Sequence, residues 1–225
     1  MSPAPTLLLR FSAGLLLAAA MLFIPAGSLR FWQAWTFLAV VFIPLVASSL
    51  YLAKHDPQLI ERRLQTEEKV REQKLLIRLL KPVFFLAFLL PGLDYRWGWS
   101  RTLGAVPRWL VLLSDVLVLG GLLFAFWVMR VNSFASRTIQ VEAGQKVIST
   151  GPYRLIRHPL YSGSLVMLLF TPLALGSYFA LPAFALLIPV YVFRLLNEEK
   201  VLRQELQGYC EYCLRTRFRL IPFVW

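Results

Sequence analysis

Apolar stretches long enough to cross a lipid bilayer recur along this chain, and that recurrence limits the possible folds more than any other feature. The hydrocarbon core of a bilayer is about 30 Å thick, so a crossing helix needs roughly 17–25 mostly apolar residues, with every backbone group satisfied inside the helix. Such stretches lie at residues 8–27, 31–53, 75–93 and 109–129, and two shorter ones follow at 160–176 and 181–196. Composition agrees: 58% of the 225 residues are hydrophobic, 16% are charged and the mean hydropathy is +0.61, outside the range of a soluble domain. The expected fold class is an all-α integral membrane protein of about six hydrophobic helices, the last two forming a helical hairpin, with an amphipathic C-terminal helix. The first stretch runs into Pro25 and Gly27 without a small-residue cleavage site, so it is expected to be a retained helix rather than a signal peptide.

The formal charge of +12 raises nucleic acid as a partner, but the distribution of the basic residues argues against it. Of the 24 Lys and Arg, 20 fall at Arg10 or in residues 54–81, 130–157 and 194–219; Arg30, Arg96, Arg101 and Arg108 remain for the other side. Positive-inside bias then predicts a multi-pass protein with both termini and the polar segments in the cytoplasm. Trp32, Trp35, Trp97, Trp99 and Trp109 mark the opposite boundary as an aromatic belt. A single membrane domain, residues 1–225, is sufficient. Within it, residues 1–130 are expected to form a four-helix membrane region and residues 131–225 a cofactor-binding catalytic region. Partners in the plane of the membrane follow from this placement; oligomeric state does not.

Several segments carry polar groups. Residues 54–81 form a mixed-charge stretch with sparse apolar positions, expected to be a solvated helix or loop near headgroups. Residues 132–150 alternate Ile139, Val141, Val147 and Ile148 with polar neighbours around Gly144, which suggests a short extended or hairpin segment. Cys210 and Cys213 have C-x-x-C spacing, but no second pair or nearby His completes a zinc set, so no metal is expected.

Two constellations stand out. Residues 151–163 read G-P-Y-R-L-I-R-H-P-L-Y-S-G and place Tyr153, Arg154, Arg157, His158 and Tyr161 at a membrane boundary, where polar residues usually bind something or do chemistry. Residues 194–206 read R-L-L-N-E-E-K-V-L-R-Q-E-L. If one helix continues here, Leu195, Leu202, Leu206, Tyr209 and Cys213 share a face, which Glu198 and Glu199 interrupt. Two carboxylates in such a place need cations or a ligand, and Arg194 lies one turn before Glu198. Together these residues suit a small zwitterion: arginine for a carboxylate, glutamate for an ammonium or a diol, tyrosine faces for a cationic centre.

The turn G-P-Y-x-x-x-R-H-P-x-Y-x-G followed by R-x-x-x-E-E resembles the isoprenylcysteine carboxyl methyltransferase and phospholipid methyltransferase superfamily of integral membrane enzymes, over roughly residues 132–225. The resemblance implies an S-adenosylmethionine-dependent methyl transfer, with the cofactor entering from the cytoplasm and a lipophilic small-molecule or lipidated acceptor entering from the bilayer. It implies a cofactor pocket containing His158, Tyr161 and Gly163, lined by Tyr153 and Arg157. Glu198 and Glu199 match the paired carboxylates and Arg194 the arginine before them. One glutamate, with Glu199 a candidate, would contact cofactor; Arg194, Glu198 and Glu199 would serve catalysis. Residues 217–220, R-F-R-L, replace a Val-Pro-x-Gly run of the eukaryotic carboxyl methyltransferases, so the acceptor stays open among carboxylate, amine and thiol. An NADPH-dependent sterol or lipid reductase and a non-enzymatic scaffold or transporter are the alternatives.

Overall fold

A computed structural model describes residues 4–64, 71–136, 138–142 and 144–225. Residues 65–70 of the mixed-charge stretch fall outside the described residues. The elements in order are α1 (Ala4–Ala26), α2 (Trp32–His55), α3 (Pro57–Leu64), α4 (Arg71–Trp97), α5 (Arg108–Val131), α6 (Pro159–Ala174), α7 (Leu181–Ala185), α8 (Ile188–Glu205) and α9 (Tyr209–Arg215), with 3-10 turns at Trp99–Leu103 and Gly151–Arg154. The protein is all-α and multi-pass, as expected from its apolar stretches.

Among the described residues four stretches are long and apolar enough to cross a membrane: Leu7–Ala26, Trp32–His55, Arg108–Val131 and Leu181–Glu205, the last containing α7 and α8. The expected stretch at 75–93 lies inside α4. The other expected stretch, at 160–176, becomes α6, whose 16 residues reach only about 24 Å and so fall short of a full crossing. The outer surfaces are apolar where a soluble protein would be polar: Leu16, Ile24, Ile43 and Val116 are all more than half exposed. Inside, Leu22, Phe31, Ala34, Phe37 and Leu38 of the first two helices and their connection pack against Val118 of α5 and Ala174 and Leu175 at the end of α6.

α5 and α6 meet backbone to backbone at two glycines. A Cβ on Gly121 would lie 2.9 Å from the Gly163 carbonyl oxygen, and one on Gly163 would lie 3.0 Å from the Gly121 carbonyl oxygen. Small residues let helix backbones meet where lipid tails supply no net hydrophobic drive. At the far end of the α6–α7 hairpin, the Asp94 carboxylate accepts from the Ser100 amide at 2.7 Å and from the hydroxyls of Ser100 and Ser177. This network fastens the turn between α6 and α7 to the end of α4.

Residues 132–150, expected to be a short extended or hairpin segment, form no hairpin ladder: among the described residues there is no strand, only an isolated parallel bridge between Ile156 and Phe218. Local side chains take the backbone donors instead. Asn132 accepts from Phe134 N, Ser136 from Thr138 N, and Gln145 from Glu142 N. Such bonds compete with a sheet ladder. The single helical face expected through residue 213 is also interrupted. α8 ends at Glu205 and Gly208 adopts φ +81°, a left-handed turn that suits glycine. Leu202, Leu206, Tyr209 and Cys213 nevertheless meet in one cluster, because α9 folds back to present its buried face.

Candidate active site

The site is built where α6 begins. A 3-10 turn over Gly151–Arg154 buries Pro152, and the chain then turns through His158 into Pro159, whose fixed φ and missing N–H suit the first helical position. His158 N–H donates to the Arg219 carbonyl at 3.0 Å and Arg157 N–H to the Phe218 carbonyl at 2.9 Å. The segment after α9 therefore runs parallel to the entry of α6. One turn further on, the Ser162 hydroxyl donates to the Leu220 carbonyl at 2.6 Å.

The two glutamates of α8 face different surroundings. Glu199, with only 4% of its side chain exposed, accepts from Arg157, from Arg203 at 3.3 Å and from Arg219 at 2.8 Å. Arg157 also donates from Nε to the Thr216 carbonyl at 2.8 Å and from Nη2 to the Arg217 carbonyl at 2.9 Å. This cluster joins α8, the turn before α6 and the segment after α9. Glu198 instead accepts from the Tyr161 hydroxyl at 2.6 Å, and its other oxygen lies 4.0 Å from His158 Nδ1, beyond hydrogen-bond reach. Arg194 lies beside the same tyrosine, where its charge favours the phenolate against the effect of burial.

These side chains border a cavity of about 630 Å³, within the usual range for small-molecule sites. Tyr153, Arg157, His158, Tyr161, Arg194 and Glu198 all line it. Glu199 and Gly163 do not: Glu199 is enclosed by its arginines behind the wall, and Gly163 faces Gly121 and Phe124 of α5. Asn132, Tyr191 and Tyr209 also line the cavity; sequence alone places Tyr209 only on an apolar face and marks neither of the others as a site residue. Tyr209 sits on an amphipathic helix, where aromatic residues read as packing. Asn132 gives a better signal, a polar residue directly after an apolar helix; it donates to the Tyr153 hydroxyl at 2.8 Å.

Burial sets the protonation of this region. His158 is held below its ordinary value of 6.5, chiefly by desolvation; Glu198 and Glu199 oppose the shift, and Arg157 and Arg219 reinforce it. The imidazole is therefore neutral at pH 7. The Tyr153 phenol is pushed up to about 12, mainly by burial, and that of Tyr209 rises further for the same reason, so both remain donors. Two buried polar atoms of the lining, His158 Nε2 and the Tyr209 hydroxyl, have no hydrogen-bond partner within the protein. An orphaned donor or acceptor in a lined cavity is where a ligand would restore the lost bond. A nucleoside with a zwitterionic tail fits this donor set. Its base has edges for the tyrosine and histidine, and its ammonium and carboxylate complement Glu198 and Arg194. Cys213 packs with Leu206, Tyr209 and Tyr212, and among the described residues no group of three His, Cys, Asp or Glu side chains could hold a metal.

Comparison with known proteins finds partial likenesses. Residues 109–207 match the phospholipid methyltransferase family. Protein-S-isoprenylcysteine O-methyltransferase B of Arabidopsis thaliana is 26% identical over 192 residues, covering 84% of this chain and 91% of that protein. A delta(14)-sterol reductase of Mus musculus is 33% identical over 94 residues, 39% of this chain but only 22% of the reductase, so the chain matches about a fifth of that relative. The solved eukaryotic intramembrane Ras methyltransferase, an isoprenylcysteine carboxyl methyltransferase, superposes with a TM-score of 0.49 at 19% identity, over 95% of this chain and 75% of that one.

Proposed function

We propose that this chain is a membrane methyltransferase of the kind that the phospholipid methyltransferase match and the isoprenylcysteine O-methyltransferase relative point to, and that it moves the methyl group of S-adenosylmethionine onto a lipophilic acceptor bearing a carboxylate, amine or thiol. The observation that carries this is the pair of unpartnered buried atoms, His158 Nε2 and the Tyr209 hydroxyl, in a cavity that also holds Glu198 and Arg194.

When bound, the cofactor supplies an electrophilic methyl group on a sulfonium. The protein's task is then to position two partners in line and keep water out, with little demand for a strong base when the acceptor is already a carboxylate or thiolate. Glu198 receives the amino group of the donor, held in place by the Tyr161 hydroxyl. Arg194, beside the same tyrosine, orients a carboxylate. Neutral His158 and protonated Tyr209 hold the nucleoside end, with Tyr153 and Arg157 forming the adjacent wall. Glu199 and Gly163 act through other residues, the first by fixing Arg157 and the second by letting α6 close on α5. For an amine acceptor, Glu198 is the group that can take up its proton. The positive-inside distribution puts the cavity and both termini on the cytoplasmic side.

A reductase remains the second reading, on two specific observations: the sterol reductase match, and the further cations Arg63, Lys81 and Lys146 that line the cavity and would suit phosphates. Calorimetric titration of the protein in lipid nanodiscs separates the two. Saturable binding of S-adenosylhomocysteine without NADPH binding is the expected result; NADPH binding alone would replace the methyltransferase by the reductase, and binding of neither would sink both.

A further inference from the structure

The segment after α9 has two unlike faces. Its inner face is used up by the site, through the Thr216, Arg217, Phe218 and Arg219 carbonyls and the Arg219 side chain. Its outer face is bare and apolar: Phe223 is 90% exposed, Val224 74% and Ile221 52%. Phe223 also has φ +65°, a left-handed conformation that costs a non-glycine residue free energy and persists only where surrounding bonds impose it. Those bonds are present. Val224 and Trp225 N–H both donate to the Ile221 carbonyl, and the N–H groups of Arg219, Leu220 and Ile221 converge on the Trp225 carbonyl. The loop is thus closed on itself with its phenylalanine held outward.

Depth decides what that face meets. The segment runs beside the entry of α6, and its Leu220 carbonyl is bonded to Ser162. The next residue, Gly163, abuts Phe124 and Gly121 of α5. Phe124 precedes the end of the crossing stretch Arg108–Val131 by seven residues, or about 10 Å of helix. The base of the loop at Leu220 therefore sits beside α5 at a level inside the crossing stretch, which puts the apolar residues 221–224 close to where hydrocarbon would begin. Arg154, Arg215 and Arg217, in the segments that lead into α6 and into the loop, are all exposed, and arginine side chains are long enough to reach headgroup phosphates from an interface. An exposed apolar tip with exposed arginines in the adjoining segments matches an interfacial anchor.

We infer that residues 217–225 form a loop anchored in the lipid of the membrane face that carries the cavity, with Phe223 and Val224 in the upper acyl region and Arg215 and Arg217 on anionic headgroups. Lipid bound there steadies the carbonyls that hold Arg157 and His158, so the surface that binds membrane and the wall of the cavity are two sides of one short segment.

Spin labelling of the full chain in nanodiscs of phosphatidylcholine with 30% phosphatidylglycerol tests this. With Cys210 and Cys213 replaced by Ser, labels are introduced by Phe223→Cys, by Val224→Cys as a second tip position, and by Gln207→Cys as an exposed reference. The expected ratio of oxygen to nickel-chelate collisions is at least threefold higher at both tip positions than at 207, and it falls at the tip in discs of phosphatidylcholine alone. A tip ratio equal to that at 207 would place the loop in water and overturn the anchor. Protection from both collision partners would overturn it in favour of a contact with a second protein chain.

Discussion

Glu199→Gln takes away the charge on which Arg157, Arg203 and Arg219 converge, whereas Glu198→Gln leaves those arginines paired. Removing one member of a buried ion cluster typically costs about 3–5 kcal/mol, so Glu199→Gln should unfold at clearly lower temperature in detergent. Glu198→Gln keeps an acceptor for Tyr161 and should melt close to the parent while binding S-adenosylhomocysteine at least tenfold more weakly; similar melting losses in both variants would erase the distinction. Tyr209→Phe deletes a single hydroxyl that the protein itself leaves unpaired, so it should weaken the same ligand by about tenfold, equivalent to ~1.4 kcal/mol, with no loss of stability. His158 adds a pH dependence. Its folded pKa lies below 6.5, so as pH falls the unfolded chain takes up the proton first; stability is complete above 6.5 and declines below it. Melting curves from pH 8 to 5 should show that decline, and His158→Asn should flatten it. The polar residues of the site were legible because they interrupt apolar sequence. Which of two adjacent glutamates faces the cavity was not, since consecutive helical positions point about 100° apart and the choice depends on how α8 packs.

Helices show what periodicity can and cannot carry. The long apolar stretches became α1, α2 and α5 almost residue for residue, because a bilayer leaves such sequence little alternative. The break at Gly208 and the irregular path of 132–142 depend on single turn residues and on side chains that cap their own backbone, and pattern arguments are weakest there. The α5–α6 contact offers a test by position. Gly120 has open space around a Cβ, whereas Gly121 would collide with the backbone of Gly163. Gly120→Ala should be neutral or slightly stabilising, and Gly121→Leu should destabilise by about 1–3 kcal/mol or more and abolish ligand binding, as read by melting and calorimetry. Equal tolerance at both would mean that the helices do not meet at these glycines.

For the molecule as a whole, composition settled the membrane class and the paired motifs pointed to residues that border one cavity, while the extent to which each helix crosses required the three-dimensional arrangement. The expected hairpin formed, but with α6 too short to cross by itself and α7 and α8 sharing one stretch. Ligand binding should be felt globally. At a concentration one hundred times its dissociation constant, S-adenosylhomocysteine should stabilise the fold by about 2.7 kcal/mol, measured as a rise in melting temperature that is lost in Glu198→Gln. The clasp of Arg157, Glu199 and Arg219 has a further consequence in time. A ribosome that has completed α8 has already delivered the four crossing stretches found among the described residues, yet Arg219 and the carbonyls that hold Arg157 and His158 are still to be made. The membrane-crossing part of the fold thus leaves the ribosome before the cavity wall is complete, and the clasp closes only once residues 216–219 have been made and set beside the entry of α6.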